Sequence, residues 1–141
     1  MTRYLGLDLG TKTLGLAITD KANILVHPYS IIRFQKEDYQ TALNELKEVI
    51  EKEHITDIAI GLPKNMDGSE GFASDRTKNF VEMLKDLNVN INIVDERLTS
   101  VQAHRILHDN NVKEKDFKDK VDALAAVLIL ETFLRSIKWV Q

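Results

Sequence analysis

The first third of the chain alternates between apolar and polar positions, which is the pattern of half-buried β-strands. This pattern covers Tyr4–Leu9, and two further apolar runs follow at Leu14–Ile18 and Ile24–Ile32. Gly10 opens the connection after the first run and Asp20 opens the next, and both residue types favour tight turns. We therefore predict an antiparallel meander of three strands.

Apolar positions then recur with the 3.6-residue period of an amphipathic helix. The residues that carry this period are Tyr39, Ala42, Leu43, Leu46, Val49 and Ile50. Further along, the pattern predicts a buried strand at Ile58–Ile60 and a helix over Ala73–Leu87. A second strand follows, because Val89, Ile91 and Ile93 alternate with polar residues.

Two more helices complete the predicted fold. Thr99 and Gln102 form a capping-box pattern, which predicts a helix from there to about Asp109. A long final helix has an apolar stripe made of Val121, Leu124, Ala125, Leu128, Ile129, Phe133 and Ile137. The order βββαβαβαα indicates an α/β fold, with one mixed five-stranded sheet flanked by helices. With 141 residues and 43% hydrophobic content, we expect a single domain over 1–141.

Composition narrows the compartment and the metal chemistry. The chain has no cysteine, so oxygen or imidazole must hold any metal, and a reducing, cytoplasmic location is expected. No signal-peptide pattern precedes the first strand. The longest apolar run, Ala123–Leu130, is far shorter than the roughly 20 residues of a membrane span, so we expect no membrane partner.

The formal net charge is −3, without the basic excess common in nucleic-acid-binding proteins. Phosphate binding depends on the local field, however, and a bound metal ion would make an acidic pocket attractive to phosphate. The charge therefore weakens a nucleic-acid hypothesis without excluding it.

Two acidic residues stand at the ends of predicted strands. Asp8 ends the first strand, where a carboxylate among apolar residues costs several kcal/mol unless a cation or a donor meets it. Glu96 follows the strand that contains Ile93, and strand alternation places the neighbouring Asp95 on the opposite face. Each acid alone also fits a structural role, Asp8 as a turn cap and Glu96 as an exposed strand end.

A third acid, Asp122, lies beside the apolar stripe of the last helix. Ala125 and Ala126 follow one turn later, and such small residues would let the helix lie close to the sheet. The alternative is an acid near a helix N-terminus, which the helix dipole favours. Three carboxylates at the ends of core elements nevertheless suggest a joint site for Mg²⁺ or Mn²⁺. Two such ions about 3.5 to 4 Å apart can catalyse phosphodiester hydrolysis.

Four segments resemble motifs of the YqgF/RuvX family, in the same order and at the same spacing. They are GLDLGTKTLGLAITD, GLPKNMDGSEG, DERLTS and DKVDALAA, which together span nearly the whole chain. Members of that family have a ribonuclease H-like (RNase H-like) fold and are described as Holliday junction resolvases or pre-16S rRNA nucleases. The resemblance implies a metal-binding catalytic triad of Asp8, Glu96 and Asp122, and an endonuclease that matures the 5′ end of 16S rRNA in ribosome biogenesis.

Three cations flank the proposed triad in sequence and could bind nucleic-acid phosphates: Lys12, Lys64 and Arg97. The family usually has Lys-Arg where this chain has Lys12 and Thr13, which puts one substrate contact in doubt but leaves the triad untouched. His104 and His108 have the spacing of two metal ligands on a helix, but no glutamate of the HExxH type lies between them.

Several functions remain open at this point. The expected partner is structured RNA, with branched DNA as an alternative, because a junction resolvase uses the same chemistry. A resolvase generally acts as a two-fold dimer, whereas an RNA-processing nuclease can be a monomer or a homodimer. A non-catalytic RNA or transcription adaptor would have no need for all three acids. A sugar kinase or actin-like ATPase would need two such domains, which 141 residues do not supply.

Overall fold

The structure is a computed structural model, and it describes residues 2–22, 25–65, 67–96 and 114–138, with side chains of 123–137 only in the last segment. Its centre is one five-stranded mixed sheet with the strand order β3-β2-β1-β4-β5. The predicted α/β class and the five-stranded sheet are confirmed. The predicted helix at 99–109 lies outside the described residues. None of the helices in the described part of the chain is long and apolar enough to cross a membrane.

The N-terminal meander is confirmed. It consists of β1 (Tyr4–Leu9), β2 (Thr13–Thr19) and β3 (Val26–Arg33), with both neighbouring pairs antiparallel. In the first pair, Asp8 lies opposite Gly15. The turn between these strands is closed by a 2.8 Å hydrogen bond that the Gly10 amide donates to the Thr13 carbonyl.

The rest of the sheet is parallel to β1. The helix α1 (Tyr39–Glu53) leads to β4 (Asp57–Leu62), and α2 (Phe72–Leu84) connects β4 with β5 (Asn90–Asp95). One turn of 3-10 helix, Lys85–Leu87, ends the helical pattern that the sequence predicts over Ala73–Leu87. Because β1, β4 and β5 are parallel, their carboxyl ends meet at one edge of the sheet.

Each face of the sheet is covered by helices. On one face, α1 and α2 pack against a core that includes Leu5, Leu7, Leu46, Phe80 and Leu84. On the other face lies the last helix, α3 (Glu114–Lys138), with a second core whose buried residues are Ala17, Ala59, Val94, Ala126, Val127, Ile129, Leu130 and Leu134. The sheet is thus the middle of three layers.

Two details differ from the sequence prediction. The stripe of α3 that faces the sheet contains Ala126, Leu130 and Leu134, whereas the predicted Leu124 and Leu128 are only partly buried. Apolar residues occur on more than one face of this helix, so their spacing alone does not determine which face packs against the sheet. The strand predicted at Ile58–Ile60 is longer in the structure, where β4 continues to Leu62.

Glycine allows α3 to approach the sheet closely. A Cβ atom at Gly6 would lie 2.7 Å from the carbonyl oxygen of Ala126 and 2.8 Å from the Cβ of Leu130. The Tyr4 and Phe133 rings also meet, with centroids 5.9 Å apart. The helix therefore runs antiparallel to β1, and its N-terminal half points toward the carboxyl end of that strand.

Candidate active site

Asp8 is positioned by the alternation of β1. Leu7 and Leu9 face the core under α1 and α2, while Gly6 faces α3. Asp8 has the same parity as Gly6, so its side chain is on the α3 face, where it is half-buried. It lies near the carboxyl end of its strand, which is the edge where ligands bind in open α/β sheets.

Glu96 follows β5 directly and is held against β4. Its backbone amide donates a 3.3 Å hydrogen bond to the Leu62 carbonyl. Its side chain is only 8% exposed. A Cβ atom at Gly61 would overlap Oε2 of Glu96 and would lie 2.5 Å from Cδ1 of Ile129. The missing side chain of Gly61 therefore makes the space in which the Glu96 carboxyl group lies beneath α3.

The structure brings Asp8 and Glu96 together. Burial raises the pKa of Glu96 from 4.5 to about 7, although a side-chain hydrogen bond with Asp8 acts in the opposite direction. The negative charge of Asp95 raises the pKa further. A hydrogen bond between two carboxyl groups requires a proton on one of them, so the pair shares one proton below a pH of about 7. Asp95 itself is exposed, as strand alternation predicts.

The third predicted residue, Asp122, is part of α3, and the structure describes its backbone but not its side chain. Position 122 comes one helical turn before Ala126, whose carbonyl lies over Gly6. Because α3 is antiparallel to β1, a step toward the N-terminus of α3 is a step toward the carboxyl end of β1. The helical turn from Ala126 to position 122 is about as long as the two strand residues from Gly6 to Asp8. Among the described side chains, no three His, Asp or Glu residues form a metal-binding group.

Two of the three predicted phosphate-binding cations, Lys12 and Lys64, lie at the carboxyl edge of the sheet. Lys12 is exposed in the turn after β1, and its carbonyl accepts a 2.9 Å hydrogen bond from the Phe34 amide. Lys64 is partly buried after β4. The pKa of Glu70 is lowered by its hydrogen bonds with Lys78 and Ser74 and, least of all, by the charge of Lys64. Arg97 lies outside the described residues, as do His104 and His108.

Sequence reasoning missed two contributors to this edge. One is Gly61, because a glycine inside an apolar strand often marks a close approach by another group, here the Glu96 carboxyl group. The other is Arg33, which pairs in register with Thr13, the position at which the resemblance to the family implies an arginine. Thr13 is itself buried, so an exposed cation on β3 stands beside the position where one is missing on β2. That pairing is visible only once the strand register is known.

The shared proton gives a prediction for the metal-free protein. The folded-state pKa of Glu96 is about 7 and its ordinary value is 4.5, so the fold favours the protonated form. The stability from this group is fully present below pH 4.5 and is lost as the pH rises through about 7. Glu96→Gln removes that loss, and we expect it to stabilise the protein at about pH 8 by roughly 1 to 3 kcal/mol.

Denaturant unfolding in EDTA at about pH 4 and about pH 8 measures this effect. The two proteins should be equally stable at the lower pH. Glu82→Gln is the matched control, because Glu82 is an exposed acid paired with Lys85 at 2.8 Å. A Glu96→Gln variant that gains no stability at high pH would show that Glu96 is not a buried, protonated carboxyl group.

The three-layer fold and the carboxylate pair at its edge define an RNase H-like protein. Two solved structures share this fold over 96% of the chain. They are the RuvC of Thermus thermophilus in complex with a Holliday junction substrate, with a TM-score of 0.55 at 13% identity and 96% of that chain covered, and the Holliday junction resolvase of fowlpox virus, with a TM-score of 0.57 at 14% identity and 99% of that chain covered.

Sequence comparison identifies the family. The family model described as "RuvX: Holliday junction resolvase" matches residues 2–136. A relative from Clostridium acetobutylicum, named "Putative pre-16S rRNA nuclease", is 40% identical, and the match covers 96% of this chain and 99% of the relative. The chain therefore belongs to the RuvX family, which is a family of nucleases, hydrolases that act on phosphodiester bonds.

Proposed function

We propose that the protein is a cytoplasmic, divalent-cation-dependent endonuclease that processes the 5′ end of pre-16S rRNA, with Asp8, Glu96 and Asp122 as its catalytic carboxylates. The observation that carries the proposal is the Asp8–Glu96 pair, two carboxyl groups in hydrogen-bond contact at the carboxyl edge of the sheet. The relatives' name supports the rRNA substrate.

The two carboxylates fit a hard divalent cation. Burial makes a negative charge on Glu96 costly, and Asp8 is close enough to repel it when both are ionised. A divalent cation would replace the shared proton and remove both penalties, and oxygen ligands favour Mg²⁺ or Mn²⁺. Asp8 and Glu96 would hold the ion, and Asp122 is the proposed third ligand.

When bound, such a cation stabilises negative charge on a phosphodiester and activates water. The chain's own residues prepare the place for it. The Gly61 surface and α3 enclose the Glu96 carboxyl group, which limits its access to water. Asp8 is more exposed than Glu96. Lys12, Lys64 and Arg97 are the proposed contacts to substrate phosphates.

The proposal is tested by incubating the purified protein with a pre-16S rRNA 5′ fragment, in Mg²⁺, in Mn²⁺ and in EDTA. Cleavage at a defined position in either metal and none in EDTA is the expected result. A four-way DNA junction is included because the family model is described as a Holliday junction resolvase. Symmetric cutting of the junction with intact rRNA would favour the resolvase function. No cleavage of either substrate would favour a non-catalytic adaptor.

Metal binding should also stabilise the fold. We expect Mg²⁺ or Mn²⁺ to raise the melting temperature. At a free metal concentration of about 100 times Kd, the expected gain in the free energy of unfolding is about 2.7 kcal/mol. Asp8→Asn should shrink the shift, because one ligand charge and much of the repulsion disappear together. Thermal melts at fixed ionic strength measure it, with Glu82→Gln as a control that keeps the shift, because Glu82 is an exposed acid on α2 paired with Lys85. Equal shifts in wild type and Asp8→Asn would mean that the cation binds elsewhere.

A further inference from the structure

Among the residues that the structure describes, Phe72 is the most exposed large hydrophobic residue. Its side chain is 90% exposed, against 56% for Leu25 and 52% for Ile93. An aromatic ring that stays in water does not gain the free energy that its burial would give. Aromatic rings in folded proteins are therefore usually at least partly covered. A ring held this far into solvent is therefore available to a ligand.

The backbone around Phe72 is held in place. Glu70 accepts hydrogen bonds from Ser74 Oγ at 3.0 Å and from Lys78 Nζ at 2.8 Å, which ties the loop to the first two turns of α2. The ring is thus presented by a fixed segment, and binding to it costs little backbone ordering.

Phe72 lies on the same edge of the sheet as the carboxylate pair. It is the first residue of α2, and α2 begins at the carboxyl end of β4, where Gly61 lies against Glu96. The helix itself packs on the face opposite α3, because Phe80 and Leu84 belong to the core under α1 and α2. A strand cleaved at Asp8 and Glu96 could therefore cross the edge and reach the ring.

The charges around the ring indicate which part of a nucleic acid would meet it. Segment 64–78 contains three cations and three acids, so its net charge is zero and it does not favour phosphate. The next exposed residues on the helix, Asp75 and Lys78, are polar, so the ring is not part of a larger apolar patch along this helix. A protein partner needs a far larger surface, of at least about 1,000 Å². A single aromatic face suits a single base.

We propose that Phe72 is a stacking site for an unpaired base of the nucleic-acid substrate, next to the cleavage position. This inference rests on the proposed nuclease function and adds a preference to it. Bases in a duplex are already stacked and do not offer a free face, whereas unpaired bases do. The site therefore selects substrates with a single-stranded segment beside the bond that is cut.

The test is fluorescence anisotropy with a labelled single-stranded RNA of about 12 nucleotides and with a blunt duplex of the same sequence, both in EDTA. Phe72→Ala should weaken binding of the single strand by roughly 5- to 150-fold, the loss expected for one base stacked on an aromatic ring. Phe72→Trp should retain binding. Duplex binding and the salt dependence of single-strand binding should stay unchanged, because no phosphate contact is removed.

Leu25→Ala is the matched control, since Leu25 is exposed but precedes β3 at the opposite edge of the sheet. Wild-type affinity in Phe72→Ala, or an equal loss for single strand and duplex, would overturn the stacking site. If wild type cleaves RNA and Phe72→Ala binds and cleaves equally well, only this inference fails. If Phe72→Ala loses single-strand binding but wild type cleaves nothing, the stacking site stands and the nuclease function fails.

Discussion

Asp8→Asn and Glu96→Gln are each expected to lower the cleavage rate by at least about a thousandfold. A metal ion supplies several kcal/mol of charge stabilisation in phosphodiester hydrolysis, and every 1.36 kcal/mol is a factor of ten in rate. Neutralising either carboxylate weakens the ion's attachment and shifts its position. Asp122→Asn should behave in the same way if residue 122 completes the site. Single-turnover cleavage in Mg²⁺ measures the effect.

The control is Asp95→Asn, because Asp95 is an exposed acid one residue before Glu96 and on the other face of β5. We expect this variant to cleave at close to the wild-type rate. Combining Asp8→Asn with Glu96→Gln should cost little more than either change alone, since residues that act on one cluster fail as a unit. Wild-type cleavage by either single variant would remove that residue from the catalytic site.

A measurement of stability distinguishes the loss of catalysis in these variants from misfolding. Glu96→Gln is expected to be inactive and yet more stable than wild type at neutral to alkaline pH without metal. A buried carboxyl group with a pKa of about 7 is a cost to the fold. Such a group is retained against stability when its chemistry is needed. An inactive variant with lowered stability would point to a structural role for Glu96.

Local patterns were sufficient to predict most of the fold. The alternation in β1 and β2 and the 3.6-residue period of α1 reflect which side chains face the core, and each can be read from a few adjacent residues. Ile93 shows where this reasoning fails. It continues the alternation of Val89 and Ile91 but is 52% exposed, because β5 is the edge strand of the sheet. Strand order is a property of the whole sheet, and a single strand's sequence does not reveal it.

The candidate site was predictable to a smaller extent. Strand parity assigns Asp8 and Glu96 to one face, and the contact between them follows from the parallel alignment of β1, β4 and β5. The space that receives Glu96 depends on Gly61 and Ile129, which are far apart in sequence and meet only when α3 packs on β4. The pKa of Glu96 depends on that burial, so no property of the sequence around residue 96 indicates it.

Gly6→Ala is expected to impair both stability and activity, although it adds a single methyl group. The added Cβ would lie 2.7 Å from the Ala126 carbonyl oxygen and 2.8 Å from the Leu130 Cβ, so it meets helix backbone rather than a movable side chain. To relieve the overlap, α3 must move away from the sheet. Overpacking of this kind costs about 1 to 3 kcal/mol. Each kcal/mol of lost stability should lower the melting temperature by roughly 4 °C.

The loss of activity should exceed what the lost stability explains. Position 122 comes one turn before Ala126 on the displaced helix, and a shift of about 1 Å at a catalytic group can cost roughly 100-fold in rate. Ala126→Leu pushes the same helix from the other side, and the double variant should be less than additive because α3 has already moved. Gly71→Ala is the control, since its Cβ would have nothing within 4 Å and its backbone has a negative φ of −131°. If Gly6→Ala melts and cleaves like Gly71→Ala, the close contact between α3 and β1 does not position the active site.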